Sequence, residues 1–133
     1  MWRILLLLVL GCWITCTTFI TQLCPHRCIC YEHADLVDCR GHGFKYVPRG
    51  IPHGTWLLEL GGNNLSHIGM RAFIGLWSLH KLDLSYNQLQ SVGPGVFRGL
   101  SRLRQLYLHN NRLTVVQQGS LDMLGTWSLC SDL

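Results

Sequence analysis

Along "LHKLDLSYNQLQSV", residues 79–92, apolar side chains fall at Leu79, Leu82, Leu84, Leu89 and Val92, with Asn87 among them. A helix would repeat such positions every three or four residues and a strand every two, and neither period fits. Only Leu82 to Leu84 alternates like a strand; the rest reads as a chain that turns while still facing a core. The same pattern returns in "TWLLELGGNNLSHI" from Thr55 and "LRQLYLHNNRLTVV" from Leu103, so the starts are 24 residues apart. In the first unit the fourth, sixth, eleventh, fourteenth and twenty-second positions are Leu58, Leu60, Leu65, Ile68 and Leu76. They are Leu82, Leu84, Leu89, Val92 and Leu100 in the second unit, and Leu106, Leu108, Leu113, Val116 and Leu124 in the third. Every one is apolar, which marks an internal repeat. The ninth position is Asn63, Asn87 and Asn111.

The stretch "LDLSYNQLQSVGPGVFRGL" resembles the extracellular leucine-rich repeat, LxLxxNxLxxLxxGxFxxL. That resemblance implies an α/β-type solenoid: a short arc of parallel concave strands, a mostly irregular convex side and a disulfide-rich N-terminal cap. The repeats would occupy residues 55–78, 79–102 and 103–126, with residues 127–133 an incomplete fourth repeat or tail. In such a solenoid the chain leaves each strand at the asparagine, where water cannot reach the backbone. An amide carries both donors and an acceptor, so Asn63, Asn87 and Asn111 can form a ladder that satisfies main-chain groups between coils.

The leader "MWRILLLLVLGCWITCTTFITQ" has a basic start at Arg3, an uncharged apolar run and then polar threonines, the plan of a secretory signal peptide over residues 1–20. Cleavage is expected between Cys16 and Leu23. The rival is an uncleaved anchor, since Ile4 to Ile20 is long enough to approach a membrane span; "VLGC" also imitates a lipoprotein site at Cys12. The expected location is therefore secreted or extracellular, membrane-attached only if the leader is retained, with no span after its removal.

Behind the leader stands "CPHRCICYEHADLVDC", whose four cysteines allow three pairings, and spacing alone selects none. The stretch resembles the amino-terminal cap of extracellular leucine-rich repeat proteins, which implies Cys24–Cys30 and Cys28–Cys39. A cap over residues 24–54 would cover the open end of the solenoid with Val37, Phe44, Val47 and Ile51, while Pro48 and Pro52 stop further regular structure. Zinc is the weaker reading of these cysteines with His26, His33 and His42, because secretion favours oxidation and paired C-x-x-C spacing is absent.

Without the leader the chain holds ten Lys or Arg and seven Asp or Glu, a charge of +3 that is too mild to imply nucleic acid. The basic residues are scattered apart from Arg102 to Arg104, where a glycosaminoglycan is the alternative partner. No G-x-S-x-G, phosphate loop or His-Glu-x-x-His is present. Ser66 beside His67 is poorly placed for nucleophilic catalysis, so no enzyme and no cofactor are expected.

What remains is a binding surface. Positions flanking the strand leucines point out of the concave sheet because side chains alternate along a strand. They include Trp56 and Glu59, then His80, Lys81, Asp83 and Tyr86, then Arg104, Gln105, Tyr107 and His109. Aromatic and charged groups on a rigid face suit an extracellular protein ligand. Asn64-Leu65-Ser66 is the single N-glycosylation acceptor. Over residues 24–124 the chain is similar to the front of the Slit, Nogo-receptor and related adhesion families, with a structural matrix protein as the second reading. Family members continue to a carboxyl cap, so the chain is expected to be a fragment or shortened isoform. Its frame places Trp127 and Cys130 at the first and fourth positions of a new unit, and Cys130, left without a pair, is expected to form a disulfide-linked dimer.

Overall fold

The computed structural model describes residues 23–116 and the strand Ser128–Leu129. The expected leader, Leu124, Trp127 and Cys130 lie outside the described residues, as does the dimer that Cys130 would form. Eight short strands are present among the described residues: β1 Ile29–Tyr31, β2 Leu36–Asp38, β3 Leu57–Glu59, β4 Lys81–Asp83, β5 Ser91–Val92, β6 Gln105–Tyr107, β7 Val115–Val116 and β8 Ser128–Leu129. Six form one sheet in the order β1-β2-β3-β4-β6-β8, and β5 pairs with β7 on the other side of the coil. Only the β1–β2 pair is antiparallel; the rest are parallel.

The 24-residue period is the strand register. Leu58 lies beside Leu82 and Leu82 beside Leu106, so each leucine stacks on its equivalent. The cap joins with a shorter step, Val37 against Leu58. At the far end Leu106 pairs with Leu129, not Cys130. That last step is 23 residues (129 minus 106), so the backbone enters the sheet one residue earlier than an unbroken frame requires.

Strands stay two or three residues long because the chain must turn at once. The residue before each ladder asparagine has a left-handed backbone, with φ of 66° at Gly62, 52° at Tyr86 and 53° at Asn110. Each coil then returns through turns closed by contacts such as Ala72 N–H to Gly69 C=O and Leu76 N–H to Phe73 C=O. Among the described residues the helical piece is a single 3₁₀ turn, Glu32–Ala34. Inside, Leu58, Leu60, Leu65, Leu82, Leu84 and Leu89 are fully buried. Phe73 and Phe97, also one period apart, stack at 6.2 Å on the returning side. Ile68 and Leu113 are only partly buried against this core.

The cap closes the first end. Cys24 is bonded to Cys30 and Cys28 to Cys39, so these cysteines are not thiolate ligands for zinc. Val37, Cys39 and Ile51 enter the core, with Phe44 and Val47 packed against it.

Candidate protein-binding face

Each ladder asparagine fastens its own coil to the one before. Asn87 accepts the Leu65 N–H at 3.1 Å through Oδ1 and donates from Nδ2 to the carbonyls of Leu60 and Leu84 at 3.0 and 3.1 Å. Asn111 repeats this with the Leu89 N–H and the carbonyls of Leu84 and Leu108. Asn63 reaches into the cap, accepting the N–H groups of His42 and Phe44 and donating to Cys39 and Leu60. The three amides do not bond one another; each bridges main chain, which leaves the sheet a fixed platform.

The open face of that platform is set in rows by the register. One row runs Leu36, Leu57, Lys81 and Gln105, and the next runs Asp38, Glu59, Asp83 and Tyr107. Tyr31 and Ile29 of β1 extend the two rows onto the cap, and both are exposed. Three carboxylates thus stand on adjacent strands, where like charges repel. Arg40 relieves the first gap. Its guanidinium donates to Asp38 at 2.8 and 3.0 Å and reaches Glu59 at 3.0 Å.

The electrostatics follow. The hydrogen bond from Arg40 holds the Asp38 carboxyl below the ordinary aspartate range. Glu59 is held above the ordinary glutamate range, first by partial burial; the attraction of Arg40 opposes this, and weaker repulsion from Asp38 and Asp83 adds to the rise. Asp83 carries no ion pair among the described residues; its Oδ1 accepts the Ser85 N–H at 2.8 Å.

Aromatic side chains flank this row. On one side Trp56 stacks on His80 at 5.3 Å, and the Lys81 ammonium lies 5.2 Å from the Trp56 ring. On the other, His109 meets Tyr86 and Tyr107 edge-on at 5.4 and 6.3 Å. Between them lies a trough of about 660 Å³ over Gly61 and Gly62. Gly61 lies on its floor, where an added Cβ would make ordinary van der Waals contact with Ser85 at 3.4 Å and Asp83 Oδ2 at 3.5 Å.

Glu59, Lys81, Asp83, Tyr86, Tyr107 and His109 therefore converge on one trough. Trp56, His80, Arg104 and Gln105 do not line it: Trp56 and His80 stack on each other, Gln105 accepts the Tyr107 hydroxyl at 3.3 Å, and Arg104 is exposed. At the phase of His109 the other two repeats have Gly61 and Ser85, both buried on the trough floor, and only His109 itself is partly exposed. Sequence reasoning missed Arg40, Asp38, Leu36 and Tyr31, although the alternation of Leu36-Val37-Asp38 was the available signal. Asn64 is exposed, with Oδ1 accepting from Gln88 Nε2 at 2.5 Å, on a coil edge rather than in the trough.

The family profile described as Leucine rich repeat matches residues 57–124. Leucine-rich repeat-containing protein 3 of Rattus norvegicus is 41% identical over 63 residues, 46% of this chain and 24% of that protein. The Chondroadherin-like protein of Homo sapiens is 40% identical over 61 residues, 46% of this chain and 8% of that protein. The crystal structure of human 5T4, described as Wnt-activated inhibitory factor 1 and trophoblast glycoprotein, overlays with a TM-score of 0.74 at 32% identity. That overlay covers 83% of this chain and 40% of 5T4, so the chain matches only a minor part of each of these proteins.

Proposed function

The chain belongs to the leucine-rich repeat family, a family of protein-interaction modules, and on that premise we propose that it is an extracellular recognition module that binds a protein through its concave trough. The carrying observation is the convergence of Glu59, Asp83, Tyr86, Tyr107 and His109 on one trough of the concave face. The trough is mixed in charge, with Arg40 and Lys81 beside Glu59 and Asp83, and the carboxylate of Asp83, which has no ion pair among the described residues, suits a cationic side chain of the partner. Arg40 already bridges the neighbouring Asp38–Glu59 gap, and the Glu59–Asp83 gap repeats it with aromatic rings alongside. Two disulfides and the cell-surface character implied by the relatives' names support an extracellular setting, in which Asn64 would carry a glycan. Binding rather than catalysis is the role assigned.

The test is a cell-surface interaction screen with the secreted chain, repeated with substitutions. Tyr107→Ala and Asp83→Asn should each weaken a recovered partner by more than about 1 kcal/mol without loss of folding. If Arg98→Ala on the returning side costs more than either, the wrong face has been assigned. A matrix role with a glycosaminoglycan is the second reading, favoured by the likeness to the Chondroadherin-like protein and by exposed Arg102 and Arg104. Elution from heparin only well above physiological salt would select it. Loss of a peptide-N-glycosidase shift in Asn64→Gln reports the glycan.

A further inference from the structure

A second groove lies on the returning side of the coil, away from the six-stranded sheet. It forms where residues 46–53, leading from the cap, meet residues 67–76 of the first repeat, and its volume is about 650 Å³. Its floor is apolar, built from Val47, Ala72, Ile51 and Leu76, the last two belonging to the core. Its rim carries Arg49, Arg71, His53 and His67, and among the described residues no carboxylate lines it. One wall is fixed firmly. His53 Nδ1–H donates to the Gly75 carbonyl at 2.9 Å, and the imidazole stacks on Trp77 at 5.2 Å with the planes 7° apart.

Large apolar side chains stand exposed at it: Tyr46 at 69% and Ile74 at 71% on its lining, and Trp77 at 59% behind the His53 wall. The other repeats do not share this. At the positions of Ile74 and Trp77 the second unit has Arg98 and Ser101, and the third has Asp122 and Gly125. The stack itself therefore does not require the apolar pair. Exposed aromatic and aliphatic groups gathered at one built groove mark a contact surface.

The groove's chemistry selects its occupant. A cationic rim without carboxylates calls for negative charge, and an apolar floor calls for a group that can be buried in it. A sulfated polysaccharide meets only the first demand, and a flat bilayer surface does not reach a recessed floor. We propose that this groove docks an acidic polypeptide segment of a protein partner, one that sets an aliphatic or aromatic side chain on the Ile51–Leu76 floor with Asp or Glu on either side. The two faces would then take partners of opposite charge, a cationic one in the trough and an acidic one in the groove.

The experiment pans phage-displayed random dodecapeptides on the full chain, then measures the synthesised winner against variants by fluorescence anisotropy. Ile74→Asp and Trp77→Ser are suitable because other repeats carry those residues at the same phase; Arg49→Gln with Arg71→Gln removes the rim charge. The expected winners carry one large apolar residue between acidic ones and lose about tenfold or more in affinity on each variant, with Glu59→Gln on the opposite face without effect. Several results would overturn the proposal: no consensus, basic winners, or equal affinity for Ile74→Asp. It would also fall if a heparin octasaccharide or phosphatidylserine vesicles bind in dependence on Arg49 and Arg71 while remaining indifferent to Ile74. Self-association of the chain abolished by Ile74→Asp, with no peptide recovered, would identify a second copy as the occupant instead.

Discussion

Tyr86 holds a backbone φ of 52°, a region that bulky residues enter only at a cost of about 1–2 kcal/mol, and its ring stands exposed above the trough. Gly62, one repeat earlier, occupies the same position without that cost. Tyr86→Gly and Tyr86→Ala should therefore weaken a concave partner alike while separating in stability, with the glycine variant about 1 kcal/mol more stable than the alanine variant in urea unfolding. Equal midpoints would mean that the turn carries no strain. Arg40 offers a second test at this scale. Asp38, held low, contributes stability that is complete above the ordinary aspartate pKa and is lost as pH falls through its folded value. Glu59, held high, has the opposite sense: its contribution is complete below the ordinary glutamate pKa and is lost as pH rises through its folded value. The two slopes oppose each other in the native chain. Arg40→Gln removes the main cause that lowers Asp38 and the one that restrains Glu59, so both carboxyls should titrate higher by carbon-detected NMR. The variant should then lose stability relative to the native chain as pH rises from about 3 to about 6.

At the scale of the coil, the ladder explains why a polar residue recurs among leucines. Asn87 is buried and satisfies the Leu65 N–H and the Leu60 and Leu84 carbonyls together. Asn87→Leu supplies apolar bulk but strands those groups, and should destabilise the chain by about 2–4 kcal/mol. Asn111, near the end of the described stack and only part-buried, should cost about half as much when replaced in the same way. Denaturant midpoints of the two variants check the order; equal losses would mean that depth in the stack does not govern the rung. Gly75 governs the join of cap to first coil, because with φ of 81° its added Cβ would come within 2.6 Å of the His53 ring. Gly75→Ala should shift that imidazole, break its stack on Trp77 and cost about 1–2 kcal/mol, read from the melting midpoint and from the His53 ring resonances.

For the molecule as a whole, cap and repeats share one sheet and one core, so stability passes between them through nearest-neighbour contacts. Cys39 is disulfide-bonded to Cys28, while its carbonyl accepts from Asn63. Cys28→Ser with Cys39→Ser should lower stability by about 3 kcal/mol and shift the whole unfolding transition rather than release the cap alone. A separate early transition from cap reporters would show that the cap is only loosely coupled. The sequence by itself determined the repeat frame, the buried leucines from Leu58 to Leu108 and the ladder positions, because a stacked coil imposes one residue type at one phase and that regularity is visible without coordinates. The outward positions inside the strands, Glu59, Lys81, Asp83, Gln105 and Tyr107, were legible too, since alternation assigns a face to each, whereas Trp56, His80, Tyr86, Arg104 and His109 lie outside the strands, where alternation assigns none. Tertiary structure alone decided how the cap meets the first coil. Asp38 lies beside Glu59 across a step of 21 residues (59 minus 38), and Leu129 lies beside Leu106 across one of 23, so the 24-residue frame could not place either. Arg40 between two carboxylates and the basic groove at the cap both arise at such a junction. They depend on which residues of unlike segments come within a few ångströms, and periodicity within one segment carries no record of that distance.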